Sequence, residues 1–134
     1  MPDKDVVIYL SGGMRGKPLA EVKATFQKYE DKYTARGWGV YNPFTLDDGE
    51  HGTIDENGII TPTETEWNKF MTRDIGLIIQ ARPTALYMIP GWTASKGARL
   101  EVLVAVYLGI PIINAETDKV IDNAKKKAKE AHAC

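Results

Sequence analysis

The sequence predicts an α/β fold built on a parallel sheet, and three observations carry that prediction. Apolar, β-prone runs at Val6–Leu10, Ala85–Ile89 and Ile110–Asn114 alternate with stretches whose apolar residues recur at helical spacing. Long segments separate the strand-like runs, as crossovers between parallel strands require. Val6-Val7-Ile8-Tyr9-Leu10 shows no polar alternation, as expected of a strand covered on both faces. Together they give a flavodoxin- or Rossmann-like three-layer sandwich with a four- to five-stranded parallel sheet. The chain has 134 residues, which fits one domain (1–134) able to bury a real core.

Each element follows in order. Strand one, Val6 to Leu10, stops at the glycine-rich loop Ser11-Gly12-Gly13-Met14-Arg15-Gly16. From Pro18 to about Ala35, Leu19, Val22, Phe26, Tyr29 and Tyr33 mark one face of a helix that Gly37 ends. Gly39-Val40-Tyr41 is a short second strand, closed by Asn42-Pro43. Residues 45–63 are polar, with Asn57-Gly58 between Thr53-Ile54-Asp55 and Ile59-Ile60-Thr61, the pattern of a small hairpin. A loop of that length in a compact domain is expected to be functional, here a lid. Glu64 to about Gln80 is helical through Trp67, Phe70, Met71 and Leu77. Ala85 to Ile89 is strand three, Gly97 to Leu108 a helix and Ile110 to Asn114 strand four. A charged C-terminal helix is expected from Thr117 to Ala131, within the tail 117–134.

Composition narrows the function classes. Hydrophobic residues make up 43% and charged residues 26%, ordinary values for a globular protein. A net charge of −1 gives no case for nucleic acid or an anionic membrane as partner. The basic run Lys125-Lys126-Lys127 sits among alanines and acids and reads as a solvated helix face. The single cysteine, Cys134, cannot form an internal disulfide. No signal-like segment and no apolar run near 18 residues is present, so a cytoplasmic protein without a membrane anchor is expected. His51 and His132 are isolated, and Asp47-Asp48-Gly49-Glu50 lacks calcium-loop spacing, so neither a metal site nor a cofactor is expected.

In parallel α/β sheets ligands bind beyond the carboxyl ends of the strands. That rule gathers the loop Ser11 to Gly16, the turn Asn42-Pro43-Phe44 and the loop Pro90 to Gly97 on one rim, with Tyr9, Arg15, Trp92, Ser95 and Glu101 in the site. Ser95-Lys96-Gly97 opens a helix whose N–H groups suit an anion, and Glu101 can act there as nucleophile, base or ribose ligand. The plain alternative for Glu101 is compensation of the helix dipole. Ser11–Gly16 lacks both standard phosphate fingerprints, although Arg15 within it can grip phosphate with two parallel hydrogen bonds. For Arg73-Asp74 the plain reading is a surface ion pair. Trp92 is either a core residue or a cover for a base or sugar.

The segments Ile8–Gly16, Tyr41-Asn42-Pro43-Phe44, Arg73-Asp74, Pro90-Gly91-Trp92 and Ser95-Lys96-Gly97-Ala98-xx-Glu101 resemble, in order and spacing, the nucleoside 2-deoxyribosyltransferase-like superfamily, in particular its short phage and bacterial branch. The resemblance covers about Val6 to Ile113. It implies that Glu101 is the nucleophile at the anomeric carbon, that Asp74 binds the sugar and assists proton transfer, and that Tyr9 lies beside the nucleophile. Ser95, six residues before Glu101, resembles the phosphate-binding serine of the nucleoside 5′-monophosphate N-glycosidases, and Arg15 fits the same group. Gly12, Gly13, Gly16, Gly97, Asn42 and Trp92 complete the expected binding set. Gly13 stands where that group has a phosphate-binding serine, so Ser11 or backbone N–H groups would have to substitute.

The expected activity is therefore cleavage of the N-glycosidic bond of a (deoxy)nucleoside 5′-monophosphate, by hydrolysis or base transfer. The expected partner is a small nucleotide or nucleoside. Two other readings compete. One is a non-catalytic nucleotide-binding or sensing module in which Glu101 takes ribose hydroxyls. The other is a phosphoribohydrolase of the lysine-decarboxylase-like group, whose Pro-Gly-Gly-x-Gly-Thr loop Pro90-Gly91-Trp92-Thr93 matches only loosely. The resemblance also implies a site completed by a neighbouring subunit. The helix Leu100–Leu108 is apolar nearly all round, as a core helix or a homodimer contact would be.

Overall fold

The computed structural model describes residues 5–46 and 52–130. The expectations for Asp47-Asp48-Gly49-Glu50, His51, His132 and Cys134 fall outside them. Strands β1 (Val7–Ser11), β2 (Gly39–Tyr41), β3 (Ala85–Met88) and β4 (Ile112–Asn114) form one four-stranded sheet in the order β2-β1-β3-β4. Every pairing is parallel, with Tyr9 beside Tyr41 and Leu86, and Ser11 beside Met88. This is the doubly wound order expected of a flavodoxin-like sheet. The helices are α1 (Leu19–Thr34), α2 (Glu64–Ala81), α3 (Lys96–Tyr107) and α4 (Ala124–Glu130), with one 3₁₀ turn at Trp92–Ala94.

Strand alternation sorts the core into two layers. Ile8 and Leu10 of β1 pack with Tyr87 of β3 against Val22, Phe26, Tyr29 and Tyr33 of α1. Tyr9, Leu86 and Met88 face the other way and pack with Ile78 of α2, Ala98, Val102 and Ala105 of α3, and Ala124 and Ala128 of α4. Helix α1 ends as expected at Gly37 (φ 84°), whose N–H reaches Thr34 O at 2.9 Å. The threonine–glutamate capping box at Thr63 and Glu66 starts α2, and Arg82 in the left-handed region, followed by Pro83, stops it.

The expected hairpin is present. Asp55 N–H bonds to Ile59 O at 2.9 Å and Thr61 N–H to Thr53 O at 2.8 Å. It is fastened on two sides. Gly16 N–H donates to Ile60 O, Ile60 N–H to Lys17 O and Leu19 N–H to Gly58 O. Glu66 Oε1 accepts from Thr53 N–H, Thr53 Oγ1 and Thr63 N–H. Over its described residues, the segment expected as a lid is thus a hydrogen-bonded wall joining the β1–α1 loop to the start of α2.

The tail departs from expectation. Helix begins at Ala124, not Thr117. The Asn114 side chain accepts from Glu116 and Thr117 N–H, Asp118 and Asn123 adopt positive φ, and Val120 bridges back, antiparallel, to Ile113. Such side-chain-to-backbone bonds give the chain a turn in place of a helical start. Asp118 then binds Arg36 through two hydrogen bonds and Lys32 at 3.0 Å. These bonds, those from Arg36 foremost, lower its carboxyl to about 2 against some desolvation. Ala124 and Ala128 are buried one turn apart, and Lys125, Lys126 and Lys127 face solvent. Among the described residues, no helix is long and apolar enough to cross a membrane.

Candidate active site

The strand order reverses direction between β1 and β3, so the loops leaving their carboxyl ends diverge and open a crevice. Tyr9 and Ser11 are two residues apart on β1 and project to the same face. The buried stripe of α3 that meets them is Ala98, Glu101, Val102 and Ala105, a core stripe with a carboxylate in it. Glu101 is 4% exposed. Its Oε2 accepts a hydrogen bond from Tyr9 Oη at 2.5 Å, and its Oε1 accepts one from Ser11 Oγ at 2.7 Å. Burial, and then the charge of Asp74, push the Glu101 carboxyl up from 4.5 to about 8, although the two hydrogen bonds and Arg73 pull the other way. Burial, followed by the Glu101 and Asp74 charges, holds the Tyr9 phenol well above its ordinary value of 10.

Asp74 comes from α2 by the same device. Trp67, Phe70, Met71, Asp74 and Ile78 follow helical spacing, and Met71, Asp74 and Ile78 are buried. The Arg73 guanidinium reaches Asp74 Oδ1 through Nε at 2.8 Å and Nη2 at 2.7 Å, and donates to Pro43 O at 3.3 Å. The surface-pair reading of Arg73-Asp74 therefore fails. Asp74 is 7% exposed, on the helix face turned to the cleft, and Arg73 ties it to the turn after β2.

A cleft of about 420 Å³ lies over these two acids. One wall is apolar, made by Ile60, Pro62, Trp67, Phe70 and Met71. The other side is formed by Gly12 to Arg15, Lys17 and the start of α3. Ser95 caps α3, its Oγ accepting from Ala98 N–H at 3.1 Å. Lys96 Nζ sits 4.7 Å from the Trp67 ring centre, and Arg73 stacks on Phe70. At Gly97 a β-carbon would come within 3.0 Å of Met71 Sδ, so glycine lets α3 approach α2 closely here. At Gly12 a β-carbon would meet Ile89 Cβ at 2.9 Å. Acids thus floor the cleft while Arg15, Lys17, Lys96 and Arg99 lie along its lining.

The fold brings most of the expected residues together, in different capacities. Gly12, Gly13, Arg15, Ser95, Gly97, Asp74 and Glu101 line the cleft. Tyr9 and Ser11 lie behind it, reaching it through Glu101. The remaining three have structural work. Gly16, at φ 80°, anchors the hairpin through Ile60. Asn42 is 2% exposed and turns the chain by accepting from Phe44 N–H at 3.0 Å. Trp92, 7% exposed, packs in the core with Tyr9, Met88 and Ala98, because the left-handed Gly91 (φ 89°) turns it inward. It does not cover the cleft; Trp67 and Phe70 of α2 do. Their signal was an acid, Asp74, occupying a position in an otherwise apolar helical stripe. Lys17 carries no such signal, because it follows the glycine loop and belongs to no motif. Among the described residues no cluster of three or more His, Cys, Asp or Glu is placed to hold a metal ion.

No curated protein matches the chain. One family model does, over residues 6–114, the stretch from the start of β1 to the end of β4 that supplies the acids, the loops and both walls of the cleft. By that match the chain belongs to the family described as a domain of unknown function, DUF4406.

Proposed function

We propose that the protein cleaves the N-glycosidic bond of a (deoxy)nucleoside 5′-monophosphate, with Glu101 as nucleophile at C1′. The observation that carries this reading is the buried Tyr9–Glu101–Ser11 group under a cleft that also holds Asp74. The resemblance to deoxyribosyltransferase-like enzymes supports it, as does the division of the cleft into an apolar wall, an acidic floor and a cationic lining. Glycosyl transfer passes through a cationic, oxocarbenium-like state that a carboxylate stabilises and then traps. Ionised Glu101 attacks C1′, and the bond to the base breaks with its electron pair leaving on the base. Water ordered by the Asp74 carboxylate, which Arg73 holds, delivers a solvent proton to the base. Water then attacks C1′, gives up a proton, and releases Glu101 as carboxylate; a second base in place of water gives transfer. Tyr9 and Ser11 hold the carboxylate in one orientation throughout. The apolar wall at Trp67 and Phe70 suits the flat face of a base.

A sensing module is the second reading, favoured by the engagement of both Glu101 oxygens within the protein. Free-base release, followed by chromatography on a panel of nucleosides and their 5′-monophosphates, decides between them. We expect release from monophosphates, abolished in Glu101→Ala. Tight binding of a member with no release from any would leave the sensor.

A further inference from the structure

We infer that Lys17 is the residue that selects a 5′-phosphorylated ligand over the bare nucleoside, a specificity role that rests on the nucleotide reading above. The position of Gly13 leads to it. A β-carbon built there would lie 3.3 Å from Ser95 Cβ, 3.8 Å from Ser95 Oγ and 3.7 Å from Lys17 Nζ. The space that a serine side chain would take at position 13 is therefore already bordered by a hydroxyl and an ammonium. Ser11, which could have compensated for the missing serine, is fully buried and spends its hydroxyl on Glu101.

Lys17 is half-buried, lines the cleft beside Gly13 and Arg15, and makes no side-chain hydrogen bond or ion pair among the described residues. Its backbone is fixed from behind. Lys17 N–H bonds to Met14 O at 3.3 Å, and its carbonyl accepts from Ile60 N–H at 3.0 Å, so the hairpin holds the residue in place. An ammonium with three donors and no acceptor, beside a glycine backbone at the cleft lining, is placed to take an anion. The acids are elsewhere in the cleft, since Asp74 pairs with Arg73 and Glu101 with Tyr9 and Ser11. A ligand spanning the cleft would thus put its dianionic end at Lys17, Arg15 and Ser95, and the carbon that gains positive charge over the carboxylates.

The test is equilibrium binding of the four 2′-deoxynucleoside 5′-monophosphates and their parent nucleosides. The proteins are the full chain, Lys17→Gln and Lys17→Arg, each also carrying Glu101→Gln so that no ligand is consumed. Loss of a charge-assisted hydrogen bond predicts a drop of about 10- to 100-fold for the preferred monophosphate in Lys17→Gln, with nucleoside affinity unchanged and Lys17→Arg close to the parent. Equal weakening of nucleoside and monophosphate, an unchanged monophosphate affinity in Lys17→Gln, or no binding of any monophosphate would each overturn the assignment. Lys17-dependent selection of a monophosphate, with no base released by the protein carrying Glu101, would instead uphold Lys17 and defeat the glycosidase.

Discussion

Burial and the charge of Asp74 together raise the Glu101 carboxyl to about 8, outweighing two hydrogen bonds and an arginine. Two outcomes follow. Since kcat/KM reports the free enzyme and the nucleophile must be ionised, the rate constant should climb with pH, pass its half-maximum near 8 and level off above that. In Asp74→Asn, which removes the second-largest cause of the upward shift, that limb should move to lower pH; a limb that stays in place would separate Glu101 from the rate. The same shift governs stability. The folded carboxyl lies above its unfolded value, so the contribution is complete below 4.5 and is lost as pH rises towards 8. Chemical denaturation should show the parent losing stability relative to Glu101→Gln as pH rises through that window. At this scale the sequence was only partly legible. Glu101 stood out beside a strand end and a helix start. Asp74 entered the site only through the resemblance; from the residues alone it read as a surface partner of Arg73, because adjacency in sequence hides which face of a helix each residue takes.

Helix α2 and the hairpin show what is built one level up. Their joint is the capping box, in which Thr63 Oγ1 accepts from Glu66 N–H at 3.1 Å while Glu66 also holds Thr53. Thr63→Ala should cost about 1 kcal/mol by loss of the cap, and should also loosen ligand binding, because Ile60 and Pro62 form part of the wall. Calorimetry with and without ligand separates the two effects. The end of β1 is tighter still. Gly12→Ala drives a methyl group into Ile89 Cβ, neither of which can swing away, and should cost about 1–3 kcal/mol in a denaturant titration. An unchanged midpoint would contradict the close approach of the two strands' ends. Helices α1, α2 and α3 and strands β1 and β2 could be read from spacing and glycine stops to within a residue or two. The tail could not. Asn114, Asp118 and Asn123 set turns through side-chain bonds and positive φ, and a charge-rich window does not distinguish those from a solvated helix.

For the whole molecule, the parallel sheet was legible in the alternation of elements, whereas the strand order and the two sides of α3 show only in three dimensions. Ala98, Glu101, Val102 and Ala105 face inward, and Leu100, Leu103, Val104 and Tyr107 form a second apolar stripe with Leu100 38% and Tyr107 83% exposed. Leu103 and Val104 also pack on the core, so Leu100 and Tyr107 are the exposed members, and the homodimer expected from the sequence would use them as its contact. Sedimentation should give twice the 14.9 kDa chain mass, and Leu100→Glu with Tyr107→Glu should return it to one. A single-chain mass for the unaltered protein would remove the homodimer.

The placement of Tyr9 and Ser11 on β1 has a consequence for how this protein can change. β1 is paired on both sides, by β2 and β3, so opening it means taking the sheet apart. Arg15, Lys17 and Ser95 stand on connections that leave the sheet, and none of them holds Glu101. Ligand choice can therefore be rewritten at the loops without touching the Tyr9–Glu101–Ser11 group beneath them, and a library confined to positions 13–15, 17, 93, 94 and 96, which spares Gly16 and the Ser95 cap, would explore new ligands on a fixed chemical base.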